Sequence, residues 1–185
     1  SRLSAALLLA LAGALPAAAA APITDLGPVP VVKTESPLPA NWAQRGVFIE
    51  ILVRAYQDSN GDGIGDLNGV TARLDYLQSL GIRGIWLMPV FRSEDRDHGY
   101  AVANYREIEP DYGTLADFDR LLAEAHRRGI AVIVDYVMNH SASGHPLFES
   151  AYDSRKSPYA DWYLFAEDKP KGWNTFAGDP WREGN

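Results

Sequence analysis

The chain has 185 residues, of which 46% are hydrophobic, and this is enough for one ordinary domain with a buried core. Its 24 acidic and 17 basic side chains give a formal net charge of −7, which disfavours a phosphate backbone, so we expect no nucleic-acid partner. The absence of cysteine excludes disulfide frameworks, thiolate metal sites and catalytic thiols.

The first residues have the pattern of an export signal. Arg2 precedes an apolar run over residues 5–15, and Pro16 and a series of alanines follow it. This predicts a cleaved signal over residues 1–20, a periplasmic or secreted protein and no stable membrane anchor. The alternative is a transmembrane helix, which Pro16 disfavours because it interrupts the apolar stretch. Residues 21–45 are rich in proline and predict an extended linker.

The next part of the chain alternates between strand and helix patterns. The apolar run Val47–Val53 predicts a strand that is buried on both faces. A helix of about four turns follows, ending at Gly81, because leucines and a valine recur at helical spacing. The apolar segment Gly84–Pro89 predicts a second strand. The apolar positions of the helix are Leu67, Val70, Leu74, Leu77 and Leu80.

A second helix and a third strand complete the pattern. Thr114 and Asp117 have the spacing of a capping box, and the helix that they begin ends at Gly129. The segment Ile130–Val134 is the third apolar run. Helical connections between consecutive strands predict three parallel strands and an α/β fold, with ligands at the carboxyl ends of the strands.

The loop after the first strand has the composition of a calcium site. Asp58, Asn60 and Asp62 alternate with small residues in the segment DSNGDGIGD, and Asp66 and the backbone oxygen of Ile64 could complete a shell of hard oxygen ligands. The loop is not an EF-hand, because glycine stands where that motif requires a bidentate glutamate. The alternative is a polar loop of Asx turns without an ion.

Polar side chains also follow the second and third strands. Asp135 lies at the mouth of a buried strand, where a binding or electrostatic role is favoured. His140 could position a substrate hydroxyl or face solvent, and Asn139 could cap a turn. Asp97 and Tyr100 could bind a sugar, because an aromatic ring stacks on the sugar ring and a carboxylate accepts hydrogen bonds from the sugar hydroxyls. The alternative is a charged loop that is only solvated.

Several motifs in order carry a resemblance to a known family. They are VFIEILVRAYQDSNGDGIGDLNGVTARLDYLQSLGIRGIWLMPV, DHGY, PDYGTLADFDRLLAEAHRRGI and DYVMNH, and they closely resemble the start of the α-amylase family of glycoside hydrolases over residues 46–165. The resemblance implies an N-terminal fragment of a (β/α)₈ barrel. Its first three strands would occupy residues 46–138, and an inserted domain B would begin within residues 139–185.

The resemblance also implies site residues. It implies a retaining mechanism whose catalytic carboxylates come from strands four, five and seven, beyond Asn185, so no catalytic residue is placed in this chain. One departure is visible, because Ala101 follows HGY where most relatives have an aspartate. The implied calcium ligands are Asp58, Asn60, Asp62, Ile64 and Asp66, and the residues implied to line the subsite of the cleaved sugar are Asp97, Tyr100, Asp135 and His140.

The function that these patterns favour is an exported hydrolase of α-glucosidic bonds in α-glucans or maltooligosaccharides. The segment DSNGDGIGDL resembles oligo-1,6-glucosidases, whereas WLMPV and HGY resemble bacterial α-amylases of an intermediate group. One alternative is a transglycosylase or isomerase that rearranges trehalose or sucrose on the same scaffold. Another is a relative that keeps the barrel without the chemistry. A free-standing calcium-loop module is disfavoured, because three strands alone would expose their edges and apolar face.

Overall fold

The computed structural model describes residues 38–94, 98–169 and 171–172. The expected export signal, residues 21–37 of the expected linker and the candidate residue Asp97 lie outside these ranges. The described end of the linker includes the 3-10 turn Trp42–Gln44 and is therefore not extended throughout. Within them, no helix combines the length and the apolarity needed to cross a membrane. The strands are β1 (Val47–Ile51), β2 (Ile82–Leu87), β3 (Phe91–Ser93), β4 (Val102–Ile108) and β5 (Ala131–Val134). The α-helices are α1 (Val53–Tyr56), α2 (Leu67–Ala72), α3 (Leu74–Ser79), α4 (Leu115–Arg127) and α5 (Pro146–Asp153).

Three parallel strands form the main sheet in the order β1, β2, β5, as the sequence predicts. In the register, Ile85 of the central strand lies between Ile49 and Val132, and these side chains face the helices. Side chains from α2, α3 and α4 cover this face and are themselves fully buried. They are Leu67, Val70, Leu74, Leu77, Leu121 and Ala125.

The opposite face of the sheet is exposed within the described chain. Glu50, Trp86 and Ile133 lie side by side in the register, and Trp86 is 44% exposed. The prediction of strands buried on both faces is therefore wrong for these residues, although the ring of Trp42 packs on Phe48 of β1 at this face, with 5.7 Å between the ring centroids. The continuous apolar runs of the strands predict a sheet that is covered on both faces. In the described ranges, a layer of helices covers one of them.

The first strand is shorter than its apolar run indicates. β1 ends at Ile51, and Val53 begins the helical turn α1, in which the amide of Ala55 donates to the carbonyl of Leu52. Val53 is still buried, and an apolar run does not distinguish a buried strand from a buried helical turn. The second strand is likewise displaced, since it spans Ile82–Leu87 instead of the predicted Gly84–Pro89.

The first predicted helix is divided in two. Arg73 leaves helical geometry between α2 and α3, with φ −100° and ψ 3°. The apolar face continues across the break, except that Leu80 caps α3 and is 54% exposed, contrary to its predicted place in the core. Gly81 follows with φ 79°, so the predicted glycine stop is confirmed.

The second predicted helix is confirmed with its capping box. Thr114 Oγ1 accepts from the amide of Asp117 at 3.3 Å, and the Asp117 carboxylate accepts from the amide of Thr114 at 2.8 Å. α4 then runs to Arg127, and Gly129 has the left-handed φ of 69° that turns the chain into β5.

A small antiparallel hairpin lies where the sequence indicated only a polar loop. β3 and β4 pair with two register irregularities, and together they follow β2. The amide of Ala142 donates to the carbonyl of Val102 at 2.9 Å, so β4 is also joined to the chain that leaves β5. The helix α5 then follows and was equally unpredicted. The hairpin and this segment form the frame of the candidate site.

Candidate functional site

Three predicted substrate residues meet beside the carboxyl ends of β2 and β5. The hydroxyl of Tyr100 donates to the Asp135 carboxylate at 3.2 Å, and Nε2 of His140 lies 3.1 Å from the carbonyl oxygen of Tyr100. Asp135 and Tyr100 are half-buried and His140 is exposed, so the group is open to a ligand. These residues are up to 40 positions apart in sequence, and only the sheet topology brings them together. The fourth predicted residue, Asp97, lies outside the described residues.

The contacts of His140 select one tautomer of its ring. A carbonyl oxygen only accepts hydrogen bonds, so Nε2 carries the hydrogen in the contact with Tyr100. Nδ1 is then the acceptor, and the Asn139 side-chain amide, 3.3 Å away, is its donor. The side-chain amide of Asn139 therefore contacts the imidazole of His140. An imidazole with both ring nitrogens hydrogen-bonded has a fixed ring plane.

A glycine lets Tyr100 reach this position. Gly99 has φ 100° and is buried, and a Cβ on it would lie 2.6 Å from the carbonyl oxygen of Pro89. His98 also has a positive φ, of 65°. The chain thus returns closely over the end of β2, and this places the Tyr100 ring beside Asp135.

Tyr105 of β4 holds the segment that carries His140, and sequence reasoning missed it. Its hydroxyl lies 2.7 Å from the carbonyl oxygen of Val137 and 2.8 Å from that of His140. Burial raises the pKa of Tyr105, so this hydroxyl stays protonated and remains a donor. No local pattern distinguishes Tyr105 in the segment NYREI, since both partners lie more than 30 residues away.

An aromatic cluster surrounds Tyr105. Its ring centroid lies 5.5 Å from that of Tyr136, 6.0 Å from that of Phe91 and 5.8 Å from that of His145. His145 is buried, and its Nδ1 accepts from the amide of Leu147 at the start of α5. Burial lowers the pKa of His145, so its neutral form is favoured. This cluster packs the hairpin against the chain after β5.

The candidate calcium loop is organised around Asp58. Its carboxylate accepts from the amides of Asn60 at 3.0 Å, Gly61 at 2.7 Å and Gly63 at 2.9 Å. The bonds from Gly61 and Gly63 hold the pKa of Asp58 below its usual range. The side chains of Asn60 and Asp62 close two further Asx turns, onto the amides of Asp62 and Ile64. The loop is therefore a series of nested turns with its oxygens at the surface.

Asp66 has a different environment from the other predicted ligands. It is 4% exposed, it caps α2 through the amide of Gly69 at 2.7 Å, and it accepts from both the amide and the hydroxyl of Ser59. Burial raises the pKa of Asp66, but the bonds from Ser59 and Gly69 together hold it below its ordinary value. The carboxylate is ionised and already has three donors.

The donor set of the loop fits a hard cation in its chemistry. Carboxylate oxygens of Asp58 and Asp62, the amide oxygen of Asn60 and the carbonyl of Ile64 are oxygen donors of the kind that Ca²⁺ binds. Among the described residues, no group of three or more His, Asp or Glu side chains gathers to a metal-holding arrangement. A cation here would thus depend on amide and backbone oxygens as well as on the two carboxylates.

Comparison with known proteins identifies the family. The family model "Alpha amylase, catalytic domain" matches residues 50–185. A probable alpha-glucosidase of Rhizobium meliloti is 46% identical over 148 residues, which cover 77% of this chain and 27% of that protein. An oligo-1,6-glucosidase of Parageobacillus thermoglucosidasius is 41% identical over 145 residues, which cover 76% of this chain and 26% of that protein.

Solved structures agree with this assignment. The crystal structure of a MutB mutant in complex with the substrate sucrose has a TM-score of 0.73 and 41% identity, and the match covers 78% of this chain and 27% of that one. MutB is named a trehalulose synthase in a related structure. The chain spans about a quarter of the length of the curated relatives that it matches. It belongs to the α-amylase catalytic domain family, and its parallel sheet is an N-terminal portion of that family's barrel.

Proposed function

We propose that the protein carrying this chain hydrolyses α-glucosidic bonds in starch-derived oligosaccharides with retention of configuration. The observation that carries the proposal is the contact group of Tyr100, Asp135 and His140 at the carboxyl edge of the sheet. Relatives with up to 46% identity are named for α-glucosidase and oligo-1,6-glucosidase activity, which supports the substrate class.

In this proposal the chain supplies one wall of the sugar subsite. The Asp135 carboxylate accepts hydrogen bonds from sugar hydroxyls, and the Tyr100 ring stacks on the pyranose face. The Tyr100 hydroxyl already donates to Asp135 and so holds that carboxylate in one orientation. His140, with its ring plane fixed, adds a polar group beside them. Asp97 is proposed for the same wall on the basis of the resemblance alone.

The bond cleavage itself is assigned to carboxylates outside this chain. In a retaining glycosidase one carboxylate attacks the anomeric carbon while a carboxylic acid protonates the leaving oxygen, and water then releases the sugar. The curated relatives extend well beyond the matched quarter of their length, so both groups have a place there. The residues of this chain bind and orient the sugar for that step.

Two further features belong to the proposal. We propose that Ca²⁺ binds the loop through Asp58, Asn60, Asp62 and the carbonyl of Ile64, with Asp66 organising the loop base through Ser59. When bound, the ion would stabilise the loop without taking part in bond cleavage. We also propose export, on the pattern of residues 1–20.

The second candidate function is isomerisation of a disaccharide. The likeness to MutB, named a trehalulose synthase, favours it. An isomerase transfers the glucosyl group to another hydroxyl of the released sugar, so the product has the mass of the substrate, whereas hydrolysis adds water. The two reactions can therefore be separated by their products.

Product analysis of the full-length protein tests the proposal. Maltose, isomaltose, sucrose, trehalose and soluble starch are supplied separately, and products are identified by chromatography and mass spectrometry. Free glucose from maltose or isomaltose is expected. Conversion of sucrose without gain of water would instead support the isomerase. No turnover of any substrate would refute both and would favour a non-catalytic relative.

A pair of variants tests the proposed site. Asp135→Asn keeps the size of the side chain, removes the charge and should lower kcat/KM by about a hundredfold or more, because a charged hydrogen bond to the sugar is lost. Asp75→Asn is the matched control, since Asp75 pairs with Arg128 on the helix side of the fold. Equal activity of the two variants would contradict the assignment of Asp135.

A further inference from the structure

The segment between β5 and α5 carries His140 without regular secondary structure. Backbone hydrogen bonds fix its two ends, from the amide of Asp135 to Leu87 and from that of Ala142 to Val102, both at 2.9 Å. His140, whose imidazole lies beside Tyr100, is one of the residues between these two hydrogen bonds. Their conformation decides where that imidazole points.

Tyr105 contacts this segment at its middle. Its hydroxyl lies within 2.8 Å of two carbonyl oxygens, those of Val137 and His140. A hydroxyl has one hydrogen and carbonyls only accept, so the two oxygens share it. Two carbonyls three residues apart are thus drawn to one point, which sets the bend of the chain that leads into His140.

The ring of Tyr105 acts on the other end of the same segment. It packs edge-to-face against Tyr136 at 5.5 Å, and Tyr136 directly follows Asp135. On its other sides the ring contacts Phe91 of β3 and His145 at the start of α5. One side chain of the hairpin therefore touches the chain on both sides of the candidate sugar site.

We propose that Tyr105 is a positioning residue of the sugar site, which sets the place of His140 through its hydroxyl and that of Asp135 through its ring. Tyr105 acts through these two residues and does not itself contact the sugar. The inference rests on the proposed function, because the site that it serves is the one proposed there.

The first test is Tyr105→Phe in the full-length protein. This variant keeps the ring and removes the hydroxyl. The matched control is Tyr112→Phe, since Tyr112 is also buried and its ring lies beneath the guanidinium of Arg54, away from the His140 segment. We expect kcat/KM on the α-glucosidic substrate to fall about tenfold for Tyr105→Phe and less than about twofold for Tyr112→Phe. An equal effect of the two substitutions would overturn the proposal.

A double-mutant cycle distinguishes positioning from a general structural role. If Tyr105 acts through His140, the loss caused by Tyr105→Phe should shrink to less than about twofold when His140→Ala is already present. Fully additive losses would mean that Tyr105 supports the fold without positioning His140, and they would refute the inference.

Hydrogen–deuterium exchange gives a readout that does not depend on activity. Peptides that cover residues 136–142 should exchange faster in Tyr105→Phe and should be unchanged in Tyr112→Phe, because only the first substitution frees the segment. Unchanged exchange in Tyr105→Phe would overturn the inference. If the wild-type protein turns over no α-glucoside but exchange increases as expected, the proposed function fails while Tyr105 keeps its role in holding the segment.

Discussion

The carboxylate of Asp66 accepts a hydrogen bond from the amide of Gly69 at 2.7 Å, and through it the candidate calcium loop is joined to the first turn of α2. The same carboxylate also accepts from the amide and the hydroxyl of Ser59, seven residues earlier. A single buried side chain thus ends the loop and begins the helix. The stability of the loop and that of the helix are therefore coupled.

Replacing Asp66 by alanine should destabilise the protein by about 2 kcal/mol, because the helix loses its N-cap and the donors of Ser59 and Gly69 lose their acceptor. Urea unfolding of the full-length protein measures the change. Asp119→Ala, at an exposed position of α4, is the control and should shift stability by less than about 0.5 kcal/mol. Equal shifts would show that the Asp66 contacts contribute nothing.

Replacing Gly69 by alanine should destabilise the protein by about 1–3 kcal/mol, although alanine is the better helix former. A Cβ at this position would meet the carbonyl oxygen of Gln57 well inside van der Waals contact, so α2 would have to move away from the chain that follows α1. The free energy of unfolding in urea is the measurement. A variant as stable as the wild type would mean that the two segments can separate without cost.

The stability of the protein should decrease as the pH falls below about 6.5, and His145 should contribute to this decrease. Burial lowers the pKa of His145 in the folded state, against a weaker opposite effect of the Glu94 charge. The unfolded chain therefore binds the proton first. The contribution is fully present above the unfolded pKa and is lost as the pH falls toward the lower folded pKa.

His145→Asn tests this contribution. Asparagine keeps an acceptor for the amide of Leu147 at the start of α5 but does not titrate. The free energy of unfolding is measured between pH 7.5 and pH 5 for both proteins, and the variant should show the smaller slope. An unchanged slope would locate the pH dependence in other groups.

Removal of calcium should lower the melting temperature if the loop binds the ion as proposed. Calcium at a hundred times its dissociation constant would stabilise the folded state by about 2.7 kcal/mol, and a chelator would reverse this. Asp58→Asn should abolish the response, because Asp58 carries the charge at the centre of the nested turns. Thermal unfolding with calcium, with chelator and with magnesium is the measurement. A calcium response that survives in Asp58→Asn would place the ion elsewhere.

The 185-residue chain, produced alone, should aggregate or form a molten state. Glu50, Trp86 and Ile133 lie on an uncovered sheet face, and Trp86 and Ile133 are large apolar side chains. Dye binding and size-exclusion chromatography are the measurements, with the full-length protein as the control. A monomer with a cooperative melt would contradict this prediction.

Local signals in the sequence were sufficient for much of the fold. The capping box at Thr114 and the glycines at the ends of both helices act through their immediate neighbours, so their spacing alone identifies them. The break at Arg73 and the hairpin β3–β4 were missed for the opposite reason. The apolar spacing runs unchanged through Arg73, and the hairpin strands pair irregularly and lack a continuous apolar run.

The candidate site also contains residues that the sequence predicts and residues that it does not predict. Asp135 was predicted because it directly follows a strand, and Tyr100 and His140 because they belong to the motifs HGY and DYVMNH of the family resemblance. The parallel sheet brings these motifs together. Tyr105 and His145 depend on contacts that no periodicity records, across more than 30 residues in the case of Tyr105. The capping role of Asp66 could have been predicted from the sequence, because an aspartate directly before an apolar helix is a usual N-cap.

The strand order β1, β2, β5 has a consequence for how the chain forms during synthesis. β2 pairs with β1, and β5 pairs with β2. When β2 or β5 leaves the ribosome, the strand with which it pairs has therefore already been synthesised. The helix-covered half of the core can thus assemble progressively from its N-terminal side. The uncovered face with Trp86 is then the surface against which any later strands would close.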